Sequence, residues 1–177
     1  MSDQPLPQGW FSKYDILEYS HLVTQIPDGG TLVEVGVWIG RSLCSVAPII
    51  RDKHLRVVAV DNFRKDRAMG KAPLKKSQRE TFEKNVHRFG IEPEVFEMNS
   101  LDAAKAFTGQ AHMVFLDALH GYPDVKNDIE AWWPKTTQIL SGHDFYLYGL
   151  RVGVRRAVKE RFERVRLRGS VWSVQVA

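Results

Sequence analysis

The sequence has 177 residues, the size of one domain, and its 44% hydrophobic and 26% charged residues are typical of a folded globular protein. A single cysteine, Cys44, excludes a disulfide framework and a cysteine-based zinc site within this chain. The first residues lack the basic start and apolar run of a signal peptide, and no apolar stretch approaches the ~18 residues that span a bilayer. We therefore expect a cytoplasmic protein without a membrane partner.

The net charge of +4 is distributed unevenly along the chain. Residues 64–79 contain seven basic residues and one acidic residue, and residues 151–168 contain eight basic and two acidic residues. The remainder is therefore acidic. Gly70 and Pro73 interrupt the first basic segment, which predicts a mobile loop over 64–79, either solvated or acting as a lid. Basic segments are also common in nucleic-acid-binding proteins, so that function stays open as an alternative.

Strand and helix patterns alternate along the chain. Apolar residues at helical spacing predict a first helix over 14–26, and short β-branched runs predict buried strands. The strands are expected at 31–36, 55–61, 93–98, 112–117 and 137–140, between helices at 41–50, 80–89, 102–107, 122–133 and 153–163. Two last strands, 165–167 and 171–176, form a hairpin.

This order predicts one doubly wound α/β domain over residues 1–177. We expect a Rossmann-like, seven-stranded, mostly parallel sheet with a C-terminal antiparallel hairpin and helices on both faces. In such a sheet, ligands bind beyond the carboxyl ends of the strands, and a polar group in an apolar strand is costly without a partner. Polar residues stand at four of these ends: Glu34; Asp61 and Asn62; Asp117 and His120; and His143 and Asp144.

Gly36 and Gly40 flank the turn that follows the first strand, with Trp38 between them. Glycines let the backbone approach a ligand, and the next helix offers free N–H groups. The G-x-x-x-G spacing differs from the G-x-G-x-x-G of dinucleotide-binding proteins, which counts against a nicotinamide-dependent oxidoreductase. Asp61 is placed to accept hydrogen bonds from both ribose hydroxyls of a nucleoside.

These motifs occur in an order that resembles the class I S-adenosylmethionine (SAM)-dependent methyltransferases. The matching residues are Glu34-x-Gly36-x-x-x-Gly40-x-Ser42, Asp61, Asp117-x-x-His120-x-Tyr122 and Gly142-His143-Asp144-Phe145. The sequence is most similar to the compact branch that includes the macrolide-sugar and antibiotic O-methyltransferases. The resemblance extends over nearly the whole chain.

The resemblance implies a SAM-binding site built from the first three strand ends. Glu34 and the turn from Gly36 to Gly40, with Ser42, would hold the methionine part of the cofactor, and Trp38 would pack at its rim. Asp61, assisted by Asn62, would bind the ribose. The segment 98–100, which contains Ser100, would lie near the adenine.

The resemblance also implies the chemistry at strands four and five. Asp117 and Asp144 match positions that bind a divalent metal in the sugar O-methyltransferases, and His120 matches their proposed general base. With His143, these residues form one Asp/His cluster if the two strands are adjacent, and such a cluster suits Mg²⁺ or Mn²⁺. We therefore expect Asp117, His120 and His143 to be catalytic, and Asp117, His143 and Asp144 to be metal ligands. The alternative is a hydrogen-bonded Asp–His network without metal.

We expect a SAM-dependent enzyme that methylates an oxygen of a small molecule, such as a sugar or a specialised metabolite. Three other functions stay open: an RNA or nucleic-acid methyltransferase or binding protein with the same fold, a nicotinamide-dependent oxidoreductase, and a binding protein without turnover. A homo-oligomer is also open.

Overall fold

The polypeptide folds around one twisted sheet in a computed structural model that describes residues 4–64, 77–147 and 153–176. Its strands in chain order are β1 (Thr31–Val35), β2 (Arg56–Val60), β3 (Glu94–Phe96), β4 (Ala111–Leu116), β5 (Thr136–Gly142), β6 (Arg166–Arg168) and β7 (Val171–Gln175). The spatial order is β3-β2-β1-β4-β5-β7-β6. The first five strands are parallel, and β7 is antiparallel to both β5 and β6. The predicted fold is confirmed.

Helices cover both faces of this sheet. They are α1 (Lys13–Thr24), α2 (Arg41–Ser45), α3 (Ala47–Asp52), α4 (Gln78–Arg88), α5 (Ser100–Ala106), α6 (Tyr122–Trp132) and α7 (Val154–Arg161). Alternate strand residues point to opposite faces, so the apolar core has two halves. One half packs the sheet against α1 to α4, and the other packs it against α5 to α7. Among the described helices, none combines the length and apolar character that a bilayer crossing requires.

Two predicted boundaries differ from the structure, and both have local causes. The helix expected over 41–50 is broken at Val46, because Pro48 lies in the first turn of α3 and cannot donate a backbone hydrogen bond to a continuous helix. Helix α4 begins at Gln78, because Ser77 and Glu80 form a capping box. The loop expected over 64–79 is therefore wrong at its last two residues, and its positions 65–76 lie outside the described residues.

The first helix is fixed to the far edge of the sheet by buried acidic residues. Asp15 completes a capping box with Ser12, and its Oδ1 accepts a hydrogen bond from the Ser170 N–H at 2.7 Å. Glu18, only 1% exposed, accepts two hydrogen bonds from the Arg166 guanidinium. These contacts hold the buried face of α1 under the carboxyl ends of the central strands.

Gly36, directly after β1, lies against the backbone that follows the neighbouring strand β4. It has φ 91°, and a Cβ atom there would lie 2.2 Å from the Asp117 carbonyl oxygen after β4. Only glycine combines this conformation with this contact. The turn after β1 and the loop after β4 are therefore pressed together without an intervening side chain.

We expect Gly36→Ala to lower the free energy of unfolding by more than about 2 kcal/mol, because it adds a steric clash to left-handed backbone strain. Gly29→Ala is the matched control. Gly29 also has a positive φ, 72°, but its Cβ would meet nothing within 4 Å. Urea denaturation measures both variants, and equal losses of stability would show that the close approach at Gly36 is not the cause.

Candidate active site

Among the described residues, two cavities of about 360 Å³ each open at the carboxyl edge of the sheet. The first, here called the α6 cavity, is lined by the ends of β1, β2 and β3 and by α6. The second, the N-terminal cavity, is lined by residues 9–11, the turn after β1 and the ends of β4 and β5. Both volumes lie in the range of small-molecule pockets. The cavities share four lining residues: Gly36, Trp38, Asp117 and Ala118.

Asp61 fixes the wall of the α6 cavity at the end of β2. Its Oδ2 accepts a hydrogen bond from the Trp38 N–H at 2.9 Å, and its Oδ1 accepts one from the Phe63 N–H at 2.7 Å. Trp38 and Phe63 have positive φ angles of 45° and 48°. Burial raises the pKa of Asp61, and the backbone hydrogen bonds oppose that rise. The carboxylate thus holds two strained turns and retains lone pairs that face the cavity.

Five of the residues predicted to bind the cofactor line the α6 cavity: Gly36, Trp38, Asp61, Asn62 and Ser100. The Asn62 Oδ1 accepts a hydrogen bond from the Arg64 N–H at 2.9 Å. The Ser100 Oγ accepts one from the Trp132 Nε1 at 2.9 Å, so its position depends on a buried side chain of α6. The structure therefore brings these five residues together around one space.

Glu34 is placed behind this wall. It is fully buried, and it is not among the described residues that line either cavity. The Tyr19 hydroxyl donates a hydrogen bond to its Oε2 at 2.6 Å, and the Ser42 hydroxyl donates one to its Oε1. Burial raises the pKa of Glu34 to about 7, although both hydrogen bonds oppose the rise. Glu34 thus supports the turn after β1 from beneath.

The other two residues predicted to bind the cofactor, Ser42 and Gly40, do not line the α6 cavity. Ser42 lines the N-terminal cavity rather than the α6 cavity. Gly40 has φ 84°, and a Cβ there would lie 3.1 Å from the Phe82 ring of α4. The close approach of α4 therefore explains why position 40 is a glycine.

Asp117, His120 and Asp144 converge at the polar end of the N-terminal cavity, with one potential ligand atom from each lying within 4.8 Å of the others. The His120 Nε2 lies 2.8 Å from the Asp144 Oδ2 and 3.7 Å from the Asp117 Oδ1. This nitrogen is buried, and no described residue makes an aligned hydrogen bond with it. Asp117 and Asp144 raise the pKa of His120 to about 9, against the effect of burial.

His143 lies beneath this cluster and is 6% exposed. Its Nδ1 is 3.6 Å from the Asp117 Oδ1 and 3.4 Å from the Asp144 Oδ1, and its Nε2 is 3.4 Å from the Asp15 Oδ2. Burial lowers the pKa of His143, but the three carboxylates outweigh it and raise the pKa to about 12. The donor atoms that converge closely enough to hold a metal come from Asp117, His120 and Asp144, so His143 lies outside this set, which contains His120 instead.

The N-terminal segment forms a wall that the sequence analysis did not assign. Trp10 packs on Trp38 with 5.0 Å between ring centroids. Arg41 donates hydrogen bonds to the Phe11 carbonyl at 2.9 Å and to the Pro7 carbonyl at 2.6 Å, and so holds the segment in place. The sequence signal for this wall was the pair of adjacent aromatic residues, Trp10 and Phe11, that precedes the first helix.

Asp15 and Tyr19 were also missed as contributors to the site. Both lie on the buried face of α1, together with Glu18 and Leu22. The signal was the presence of two acidic residues at helical spacing with apolar residues, because a carboxylate on a buried face requires a partner.

We expect His143→Gln to lower the free energy of unfolding by about 3 kcal/mol, because three carboxylates lose their shared buried cation. His87→Gln is the control, since His87 is exposed on α4 and should change stability by less than about 0.5 kcal/mol. Chemical denaturation compares the two. A His143→Gln protein as stable as the control would show that the buried charge is unimportant for folding.

Comparisons with known proteins identify the family and the fold. A family described as "Methyltransferase domain" matches residues 33–145. An O-methyltransferase from Thermotoga maritima, described as SAM-dependent, is 16% identical with a TM-score of 0.62 and covers 90% of this chain and 54% of that chain. An rRNA methylase from Streptococcus thermophilus is 11% identical with a TM-score of 0.61 and covers 94% of this chain and 97% of that chain.

A protein from Streptococcus mutans, solved in complex with SAH, is 9% identical with a TM-score of 0.64 and covers 93% of this chain and 98% of that chain. No curated protein matches the sequence significantly. These structures share the fold, and the family match extends over more than half of the chain. The chain belongs to the methyltransferase domain family and is a class I SAM-dependent methyltransferase.

Proposed function

We propose that this enzyme methylates a hydroxyl oxygen of a small molecule and that His120 accepts the proton of that hydroxyl. The observation that carries the proposal is the shared wall of the two cavities. Gly36, Trp38, Asp117 and Ala118 face both spaces, and His120 and Asp144 lie on the N-terminal side of that wall. A donor on one side can therefore meet an acceptor on the other beside a proton-accepting group.

The α6 cavity fits SAM in size and in charge. Its volume of about 360 Å³ is that of a small-molecule pocket, and its charged lining consists of one cation, Arg64, and four carboxylates: Asp61, Asp117, Asp124 and Asp128. Negative lining favours a positively charged sulfur. Gly36, Asp61, Asn62 and Ser100 would hold the cofactor. When bound, SAM supplies its methyl carbon to the acceptor oxygen and leaves as S-adenosylhomocysteine (SAH) with the electron pair of the broken carbon–sulfur bond.

The N-terminal cavity suits a small acceptor with an apolar body and a hydroxyl. Trp10, Phe11 and Leu147 supply apolar walls, which exclude water, and His120 lies at the polar end. A hydroxyl is a weak nucleophile at neutral pH, so a positioned base is needed. In its neutral form, the His120 Nε2 takes the proton as the oxygen–carbon bond forms, and Asp117 and Asp144 stabilise the resulting imidazolium. Because these carboxylates raise the pKa of His120 to about 9, turnover should increase as the pH rises towards 9.

The same cluster also fits a divalent cation, because two carboxylates and an imidazole converge there. Asp117, His120 and Asp144 would hold Mg²⁺ or Mn²⁺, which would lower the pKa of a bound hydroxyl. An imidazole nitrogen that ligates a metal cannot accept a proton. The two roles of His120 therefore exclude each other and predict different responses to chelation.

An RNA acceptor is the second candidate, because one similar structure is an rRNA methylase and α7 carries exposed cations. Some of these cations are already engaged within the protein. Arg156 lies 3.9 Å from the Tyr122 ring centroid and pairs with Glu160, and Arg161 lies over the Trp133 ring. Because these arginines already have partners within the protein and the N-terminal cavity is the size of a small-molecule pocket, a small acceptor is favoured over RNA.

We expect SAH to form from SAM when the enzyme is given a panel of phenols, hydroxylated sugars and other small alcohols. Total RNA in parallel reactions should give only the background rate. The measurement is SAH release at low and moderate salt, because RNA binding weakens steeply as salt increases. Turnover with RNA alone would overturn the proposed acceptor class.

With the best acceptor of that panel, we expect His120→Ala to lower kcat at least about 100-fold, because the hydroxyl loses its proton acceptor. SAH affinity by calorimetry should stay within about twofold, since His120 lines only the N-terminal cavity of these two. His87→Ala, at the exposed histidine of α4, should match the wild type.

Chelation separates the two roles of His120. Turnover that survives exhaustive EDTA treatment supports the proton-acceptor role. Activity that EDTA abolishes and Mg²⁺ or Mn²⁺ restores would overturn it in favour of a metal ligand. An unchanged kcat in His120→Ala would overturn both roles.

A further inference from the structure

Arg41 is a cation in the wall of the N-terminal cavity that the proposed chemistry does not use. It is the first residue of α2, and its side chain is partly buried. The guanidinium donates hydrogen bonds to the carbonyl oxygens of Phe11 and Pro7, at 2.9 Å and 2.6 Å. Both acceptors are neutral. These bonds therefore fix the position of the guanidinium without neutralising its charge.

The charge and most of the donors of Arg41 lack partners in the described part of the chain. None of the ion pairs between described residues includes Arg41. A guanidinium has five N–H groups, and the two carbonyls occupy one each, which leaves three. A fixed, planar guanidinium with several N–H groups to donate matches the two-point geometry of a carboxylate or a phosphate.

The carboxylates of the same cavity already have partners. Asp117 and Asp144 each lie within 3.7 Å of a nitrogen of His120 and within 3.6 Å of a nitrogen of His143. Among the charged residues that line this cavity, only Arg41 has no charged partner in the described ranges. An incoming anion therefore meets an uncompensated positive charge there.

The two cavities differ in charge. Four carboxylates and a single cation line the α6 cavity, so an anionic ligand is disfavoured in it. The N-terminal cavity has two carboxylates, both with imidazole partners, and the unpaired guanidinium. The pair of cavities thus suits ligands of opposite charge, a cationic methyl donor and an anionic acceptor.

We infer that the acceptor carries a carboxylate or phosphate group and that Arg41 binds this group while the acceptor hydroxyl reaches His120. This inference rests on the proposed function and names the chemical class of its acceptor. The apolar body of the acceptor would contact Trp10 and Phe11, which line the same cavity.

The test compares acceptors in pairs that differ chiefly in charge: hydroxybenzoates with the matching hydroxybenzamides, and sugar phosphates with the free sugars. SAH release gives kcat/KM for each. We expect the anionic member of at least one pair to have a kcat/KM at least about 10-fold higher, mostly through a lower KM, because it gains charge-assisted hydrogen bonds. The pair that shows this preference distinguishes a carboxylate from a phosphate.

Arg41→Gln removes the charge and keeps an amide that can donate to a carbonyl. We expect the preference for the anion to fall below about threefold, and Arg41→Lys to retain part of it. Arg88→Gln is the matched control. Arg88 is exposed on α4 and also holds the N-terminal segment, by donating to the Pro5 carbonyl at 2.8 Å, but it is not among the residues that line the N-terminal cavity. Its variant should keep the wild-type preference.

The results that would contradict the inference are distinguishable. Equal kcat/KM within every pair for the wild type would overturn the anionic acceptor and leave O-methylation of a small molecule intact. An equal fall for charged and neutral acceptors in Arg41→Gln would show that Arg41 serves only as an anchor. Turnover of no small hydroxylated compound would overturn the proposed function as well. If Arg41→Gln does not fold, the wild-type preference should still shrink as NaCl rises from about 50 mM to about 500 mM, and a preference that salt leaves unchanged would overturn the charge contact.

Discussion

The candidate active site depends on one buried positive charge. His143 lies between carboxylates from α1, from the loop after β4 and from the end of β5, and these carboxylates would repel one another without it. The Asp15 carboxylate also accepts the Ser170 N–H of the C-terminal hairpin. The imidazolium therefore stabilises both the polar end of the N-terminal cavity and the attachment of the first helix to the sheet edge. The charge of His143 therefore links Asp117 and Asp144 at the candidate site to Asp15 on the first helix.

The α6 cavity follows a similar principle, because acidic residues in its wall and behind it hold the backbone in place. Asp61 accepts N–H groups from two left-handed residues, and Glu34 accepts the hydroxyls of Tyr19 and Ser42 from beneath. These bonds position the turn after β1 before any ligand is present. The site is therefore preorganised, and binding energy is not required to order the turn.

Local patterns allowed much of this arrangement to be predicted. Strand ends could be located because apolar β-branched runs stop at polar residues, and parallel strands bring Asp61, Asp117 and Asp144 to one edge. The break at Pro48 and the capping box at Ser77 are also local signals that a closer examination of the sequence would have shown. By contrast, the burial of His143 and the N-terminal wall depend on contacts between residues distant in the chain. No periodicity in β5 distinguishes an imidazole facing a ligand from one facing Asp15 on another element.

The tether of the N-terminal wall has an evolutionary consequence. Arg41 holds that segment through the carbonyl oxygens of Pro7 and Phe11, which every residue type possesses. The exposed side chains of Gln8 and Trp10 can therefore change while the attachment remains. Phe11 is constrained by its packing on Tyr19, Phe115 and His143. Gly9 is constrained as well, since a Cβ there would lie 2.7 Å from the Arg41 Cδ. Substitution of Trp10 can therefore reshape the N-terminal cavity without disturbing the anchor of the segment.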